Sequence, residues 1–226
     1  MKRRAAFVLF AATLGMMAKA LHAIFLEVPT EATMGVVQRI FYFHVASAWV
    51  AFLAFFLSGV SSALYLARRK MSWDRWAVSS AEIGVIYCSV VLVTGPIWAK
   101  PVWGVWWTWD ARLASTFVLW LIYVSYLLLR GFLAEPARRA AVSAVFNIIS
   151  LLDVPIVYMS IRWWRTQHPS PVVAGGPGSG LDRDMWLGLL QAVAALTLLF
   201  VFLMYQRLEL EQSRQQVEAL RREVLS

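Results

Sequence analysis

Ile97-Trp98-Ala99-Lys100-Pro101-Val102-Trp103-Gly104-Val105-Trp106-Trp107-Thr108-Trp109-Asp110-Ala111-Arg112-Leu113 holds five of the chain's twelve tryptophans. An apolar run long enough to span a membrane stands on each side of this Trp-rich segment. Indole rings favour the boundary between membrane and water, which predicts an interfacial aromatic belt. A belt scatters its tryptophans over many helix ends, whereas here they share one segment that Pro101 and Gly104 interrupt. A flat apolar ligand explains this density of rings better.

The composition is that of a polytopic membrane protein. Of 226 residues, 60% are apolar and 15% charged, and the mean hydropathy is +0.63. A membrane-spanning helix needs roughly 20 mostly apolar residues. Six runs qualify, and with the tail they predict an all-α protein whose single six-helix domain covers 1–206. The spans are about 5–25, 45–67, 77–98, 113–133, 141–161 and 185–205, and 207–226 is a helical tail.

The distribution of Lys and Arg predicts the orientation. Counted by loop, fourteen fall on the side of both termini and six on the side of the Trp-rich segment, with Lys19 inside the first span. The positive-inside rule therefore puts both termini and the tail in the cytoplasm and the Trp-rich segment outside. The basic start also resembles a signal peptide, but we expect the first span to remain uncleaved. The net charge of +8 reports topology and lipid contact, and we expect no nucleic-acid partner.

A few polar residues lie inside the spans or end them. The single cysteine, Cys88, excludes an intramolecular disulfide and a cysteine-based metal cluster. Glu82 is expected to have a structural role, in which its carboxylate either snorkels to the interface or pairs with Arg75. Asp153 either caps backbone groups freed by Pro155 or contributes to a site. The sequence Thr94-Gly95-Pro96 is expected to break the third helix, and the Pro/Gly-rich stretch 169–180 to be mobile.

Two of the three histidines lie at predicted outer ends of spans, in aromatic and cationic surroundings. His44 follows Arg39-Ile40-Phe41-Tyr42-Phe43, and His168 follows Arg162-Trp163-Trp164-Arg165-Thr166-Gln167. His22 lacks such neighbours and is interpreted as a packed or interface residue. Two neutral imidazoles facing an apolar slot are what six-coordinate haem iron accepts as axial ligands. Zinc fits poorly, because no third or fourth Cys or His has suitable spacing.

Haem also accounts for the remaining residues of these segments. Its flat faces need apolar walls, and its two propionates need cations. The walls are expected from Trp98, Trp103, Trp106, Trp107 and Trp109, with Trp163 and Trp164 near the second histidine. The candidate propionate partners are Lys100, Arg112, Arg162 and Arg165. Asp110 cannot stack on a porphyrin, and its carboxylate is expected to pair with Arg112 or to fix the loop backbone.

The segment Trp103-Gly104-Val105-Trp106-Trp107-Thr108-Trp109-Asp110-Ala111-Arg112-Leu113 resembles the WWD signature of haem-handling proteins in cytochrome c biogenesis. The segments 39–49 and 163–168 resemble those that hold this family's two haem-ligating histidines. Six spans and the lack of a large soluble domain point to the branch called cytochrome c maturation protein C, or haem exporter protein C. The resemblance extends from about Arg39 to His168.

The resemblance implies a haem-handling membrane protein that is not an enzyme. Family members hold haem b as transient cargo at the outer face, between two histidines and the WWD segment. They promote its covalent attachment to the haem chaperone, maturation protein E, for onward transfer to c-type cytochromes. They assemble with the ABC-transporter subunits A and B and the small membrane protein D. By position, His44 and His168 would be the axial ligands, and Trp103 to Arg112 the platform for haem and chaperone.

Four positions depart from the family pattern, and two other functions compete. The family usually has Pro at Ala46, Asn at Asp153 and Arg165, and Thr at Ala114. One alternative is the haem-attaching synthetase core of the other cytochrome c pathway, which shares the WWD segment. Those proteins have more spans and further membrane histidines, for which this chain offers only His22. The other alternative is an ion transporter or channel that uses Lys19, Glu82 and Asp153, although no inverted repeat is visible.

Overall fold

The computed structural model describes residues 2–169 and 180–225, which form seven α-helices. They are α1 (Lys2–His22), α2 (Arg39–Arg68), α3 (Met71–Trp103), α4 (Ala111–Phe132), α5 (Pro136–Leu151), α6 (Asp153–Trp163) and α7 (Arg183–Leu225). A π-helical turn, Ala23–Glu27, follows α1, and a 3-10 turn, Val36–Gln38, leads into α2. Most of the stretch predicted to be mobile, residues 170–179, lies outside the described residues.

Six helical segments are long and apolar enough to cross a membrane, which confirms the predicted all-α polytopic architecture. They are Arg4–Glu27, Val36–Arg68, Met71–Trp103, Ala111–Phe132, Pro136–Trp163 and Arg183–Arg221. Several are longer than the roughly 20 residues needed to cross a bilayer, because polar turns of helix extend beyond the apolar runs. The fifth comprises α5 and α6, which adjoin at Leu152.

The helices α2 and α3 form the centre of the bundle, and the others pack around them. The pair α1 and α7 lies together, α7 and α5 also contact α2, and α4 packs on α6, α3 and α5. Phe55 of α2 stacks on Tyr123 of α4 with 3.8 Å between ring centroids. A β-carbon on Gly84 of α3 would lie 2.6 Å from the Phe55 ring. Glycine at this position therefore permits the close approach of α2 and α3.

The helix break predicted at Thr94-Gly95-Pro96 is wrong. Helix α3 continues through Pro96 and Pro101 and ends at Trp103, followed by Gly104 with a φ of 77°. A proline removes one backbone N–H, and neighbouring helices in a membrane bundle can accommodate the freed carbonyl. The extra turns bring Trp98 and Trp103 onto the same rigid helix as Thr94.

The end of the bundle away from the Trp-rich segment is held by ion pairs. Arg130 of α4 donates to both carboxylate oxygens of Asp74 of α3, at 2.7 and 2.8 Å, and both side chains are buried. Glu82 pairs with Arg207 of α7. The predicted pairing of Glu82 with Arg75 is therefore wrong, since Arg75 instead donates to Gln215 at 3.0 Å.

The sixth span and the predicted tail are one continuous helix, α7. Arg139 of α5 donates to Glu218 at 2.9 Å, which ties the tail to the bundle. The four apolar tail residues with near-heptad spacing, Leu210, Val217, Leu220 and Val224, are exposed. The tail thus extends the bundle and presents an apolar stripe on its outward side.

Candidate functional site

An aromatic cavity of about 190 Å³ lies between α2, α3, α4 and α6, at the Trp-rich end of the bundle. A water molecule has a share of about 30 Å³ in the liquid, so this space suits a larger ligand. The residues that give it its chemistry come from six parts of the chain. They are Phe41, His44 and Trp49 of α2, Trp98 and Trp103 of α3, Trp107 of the α3–α4 linker, Arg112 of α4, Tyr158 of α6, and His168 and Pro169 beyond α6.

The hydroxyl next to His44 indicates which ring nitrogen carries the proton. Its Nδ1 lies 2.9 Å from Thr94 Oγ1, which lies 2.7 Å from the carbonyl oxygen of Val90. A carbonyl cannot donate, so the single hydroxyl proton of Thr94 is used on Val90. His44 Nδ1 must then carry the proton and donate it to Thr94. The lone pair of His44 is left on Nε2, where a metal can bind it.

His168 adopts the same tautomer by a different route. Its Nδ1 donates to the backbone carbonyl of Pro169 at 2.9 Å, and its backbone N–H donates to Thr166 Oγ1 at 3.1 Å. Burial, and then the nearby Arg112 guanidinium, lower the pKa of His168 to about 4. His168 is therefore neutral at pH 7, with its lone pair on Nε2.

Buried hydrogen-bond donors without partners surround the cavity. Among the described residues, Trp98 Nε1, Trp107 Nε1 and Arg112 Nε are buried and make no hydrogen bond, while Arg112 Nη1 donates to the Val157 carbonyl of α6. An unsatisfied buried donor costs roughly 1–3 kcal/mol. All three side chains line the cavity. A ligand with anionic acceptor groups would satisfy what the protein leaves unpaired.

The linker between α3 and α4 is anchored at both ends. Asp110 is the N-cap of α4 and accepts hydrogen bonds from the backbone N–H groups of Arg112 and Leu113, at 2.9 and 3.1 Å. At the other end, Lys100 donates to the Gly104 carbonyl at 2.9 Å. The Asp110 carboxylate thus fixes the backbone that presents Trp107 to the cavity.

The structure brings six of the thirteen predicted site residues to the cavity, namely His44, His168, Trp98, Trp103, Trp107 and Arg112. The other seven lie outside its lining, namely Lys100, Trp106, Trp109, Asp110, Trp163, Trp164 and Arg165. Trp106 and Trp109 are 58% and 76% exposed, and Trp163 and Trp164 pack edge to face on the surface. Arg162, the other cation considered, lies 5.4 Å from the Tyr158 ring. Arg112 is the one candidate propionate partner among the lining residues.

Sequence reasoning missed two polar residues near the site. Thr94 contacts His44 but does not itself line the cavity, and its sequence context pointed only to a helix break. Tyr158 lies four residues before Arg162, and this spacing on one helix face was the one signal that it adjoins a cationic position. Asp153 begins α6 and its Oδ2 has no partner among the described residues, yet it does not line the cavity.

Among residues 2–169 and 180–225, no group of three or more His, Cys, Asp or Glu side chains could hold a bare metal ion. Two histidines alone do not satisfy zinc, which takes four ligands in structural sites. They suffice for an iron that already carries four porphyrin nitrogens. The donor set therefore fits haem better than a free metal.

Comparison with known proteins gives a consistent family. The family described as CcmC: Heme exporter protein C matches residues 1–223. Heme exporter protein C of Bradyrhizobium diazoefficiens is 33% identical over 192 residues, which cover 85% of this chain and 73% of the relative. The Rhodobacter capsulatus protein of the same name is 29% identical over 197 residues, 87% of this chain and 81% of the relative. The Escherichia coli protein is 31% identical over 140 residues, 62% of this chain and 57% of the relative. This chain belongs to the heme exporter protein C family.

Proposed function

We propose that this protein holds haem as transient cargo between His44 and His168, and delivers it to the haem chaperone, maturation protein E, for cytochrome c biogenesis. The observation that carries the proposal is that two histidines line one aromatic cavity, each with its Nδ1 in a hydrogen bond, which leaves Nε2 of each available to a metal. Haem iron in its porphyrin accepts two such axial ligands. The family membership agrees with a haem cargo.

The other cavity residues suit the rest of the haem molecule. Trp98, Trp103 and Trp107 offer apolar ring surface, and Arg112 offers a cation whose buried Nε donor has no acceptor among the described residues. A propionate would supply that acceptor. The exposed rings of Trp106 and Trp109, beside the cavity, would then form a surface on which a chaperone approaches the haem edge.

The protein would act in the bacterial inner membrane as a multi-pass subunit. The loop charges favour an orientation with the cavity at the outer face. In that setting it would work with the ABC-transporter subunits A and B and the small membrane protein D, and would need no catalytic group of its own. Covalent transfer requires both histidines to release the iron, so firm but reversible ligation suits a holder of cargo.

The two competing functions gain no support from the described residues. A synthetase would need His22 as a further haem ligand. His22 instead hydrogen-bonds to Glu27 at 3.1 Å, and its side chain is 60% exposed. An ion path through Lys19, Glu82 and Asp153 would need them in a common cavity, yet none of them lines the aromatic cavity.

Covalent haem on maturation protein E in cells tests the proposal. Cells without their own heme exporter protein C would express maturation protein E with the wild-type chain, His44→Ala, His168→Ala or His22→Ala, and haem staining of denaturing gels would detect the product. We expect both ligand substitutions to abolish the labelled chaperone, while His22→Ala retains it at equal membrane abundance. Undiminished labelling with both ligand variants would overturn the proposal.

A further inference from the structure

We propose that Thr94 is a positioning residue that holds His44 in the Nδ1–H tautomer, so that Nε2 faces the iron with its lone pair free. The inference rests on the proposed function of the cavity. Thr94 lies on α3 and His44 on α2, the two helices at the centre of the bundle, and the 2.9 Å bond between Thr94 Oγ1 and His44 Nδ1 joins them.

The direction of this hydrogen bond is set by helix α3 itself. The distance of 2.7 Å between Thr94 Oγ1 and the Val90 carbonyl oxygen requires a hydrogen between the two oxygens, and only Thr94 can supply it. Threonine commonly returns its hydroxyl proton to the carbonyl four residues earlier in a helix. Thr94 is thereby left as an acceptor toward His44, and it selects one of the two imidazole tautomers.

Among the residues that the structure describes, Thr94 is the one hydrogen-bond partner of the His44 ring. The side chain of His44 is 9% exposed, so bulk water has little access to Nδ1. The Trp98 ring packs against it edge to face, with centroids 5.8 Å apart, and a β-carbon on Gly95 would lie 3.5 Å from His44 Cε1. Apolar contacts hold the ring on these sides, and one hydroxyl decides which nitrogen carries the proton.

Within the described part of the chain, no side chain holds Nδ1 of the second ligand, His168. His168 Nδ1 is anchored by the backbone carbonyl of the adjacent Pro169, and so its tautomer is set within its own loop. Thr94, on the neighbouring helix α3, therefore sets the tautomer of the first ligand, His44. A hydrogen bond to the far nitrogen of a ligating histidine also raises its basicity toward the metal.

Removal of the hydroxyl should therefore alter the ligand before any haem is bound. In Thr94→Val the shape is kept but Nδ1–H has no acceptor, which favours the Nε2–H tautomer whose ligating nitrogen is blocked. Changes in the partners that orient ligands typically reduce metal affinity by about 10- to 100-fold. Thr94→Ser keeps the hydroxyl and should restore both tautomer and affinity.

Histidine-labelled ¹⁵N spectra of the full-length protein without haem give the first test. The chain has three histidines, so His22→Gln and His168→Gln assign the signal of His44. We expect the Nδ1–H tautomer in wild type and Thr94→Ser, and a shift toward Nε2–H in Thr94→Val. The control is Thr13→Val, which removes a hydroxyl that donates to the Leu9 carbonyl, 2.8 Å away on α1, at a residue that does not line the cavity.

Titration of the same variants with haem gives the second test. We expect Thr94→Val to bind haem about 10- to 100-fold more weakly and at a more positive reduction potential, with Thr94→Ser and Thr13→Val close to wild type. An unchanged tautomer together with unchanged affinity in Thr94→Val overturns the role of Thr94. If His44→Ala also leaves haem binding unchanged, both the proposed function and the role of Thr94 are overturned. If His44→Ala abolishes haem binding, only the role of Thr94 is overturned.

Discussion

We expect the Arg112 guanidinium to have two roles, one in linking helices and one in binding haem. Its Nη1 donates to the Val157 carbonyl, which links α4 to α6, while its buried Nε has no acceptor among the described residues. In Arg112→Lys the charge is kept, but a single ammonium group replaces the fork and cannot occupy both positions. We therefore expect the variant to lose one charge-assisted hydrogen bond to a haem propionate.

The size of the loss follows from hydrogen-bond energetics. A hydrogen bond to a charged group contributes about 1.5–3 kcal/mol, and each 1.4 kcal/mol is a factor of ten in Kd. Arg112→Lys should bind haem about 10- to 100-fold more weakly, measured by titration of the purified protein in detergent. Haem whose propionates are esterified should bind wild type and variant equally. The control is Arg183→Lys, because Arg183 is exposed at the start of α7 and does not line the cavity.

Two results would refute this reasoning about Arg112. An unchanged haem affinity in Arg112→Lys would show that Arg112 does not contact the cargo. An equal loss for haem and for its diester would assign the effect to the link between α4 and α6 instead of to a propionate.

Three further predictions concern the scaffold and the second ligand. Asp110→Ala removes the N-cap of α4 and should lower the free energy of unfolding by about 1 kcal/mol, measured by circular dichroism in micelles. Asp110→Ser keeps a capping side chain and should lose less. Equal stability of Asp110→Ala and wild type would contradict the role of Asp110 as a cap. Asp74→Ala leaves Arg130 buried without its partner and should cost about 3–5 kcal/mol by the same assay, while the double variant Asp74→Leu with Arg130→Met should recover most of the loss. Burial lowers the pKa of His168 to about 4 from a usual 6.5, so its ring should remain neutral at pH 5.5 in an NMR titration of the protein without haem. Because the unfolded chain would gain that proton first, this group makes folding less favourable as the pH falls from about 6.5 to 4.

Hydrophobic patterning was sufficient to predict the six spans. Each apolar run exceeds the length that a bilayer requires, and the backbone of such a run has few alternatives to a helix. The residues at which the helices end were harder to predict from the sequence. Pro96 looked like a break, but the bundle around α3 tolerates the missing N–H, and the helix continues to Trp103. The predicted pairing of Glu82 with Arg75 was wrong because the sequence does not show how the helices pack. Arg207 is remote from Glu82 in sequence, and only the packing of α7 brings the two side chains together.

In the candidate site, too, some features could be predicted from residue types and others depend on how the chain packs. The shared position of His44, His168 and Arg112 at one cavity could be predicted, because two imidazoles and a cation in aromatic surroundings suit one ligand. The rotation of each helix about its axis could not be read from the sequence. That rotation places Thr94 against His44, a contact across fifty positions of the chain. The path of the non-helical linker between α3 and α4 could not be read from the sequence either, and it separates Trp107, which lines the cavity, from Trp109, which is 76% exposed.

Ligation of one iron by His44 and His168 together is the central claim, and the absorption and electron paramagnetic resonance spectra of the haem-loaded protein test it most directly. Wild type and His22→Ala should both show low-spin, six-coordinate iron. His44→Ala and His168→Ala should each lose that signal, and added imidazole should restore it in each. Low-spin spectra that persist unchanged in both single variants and in the double variant would contradict the claim.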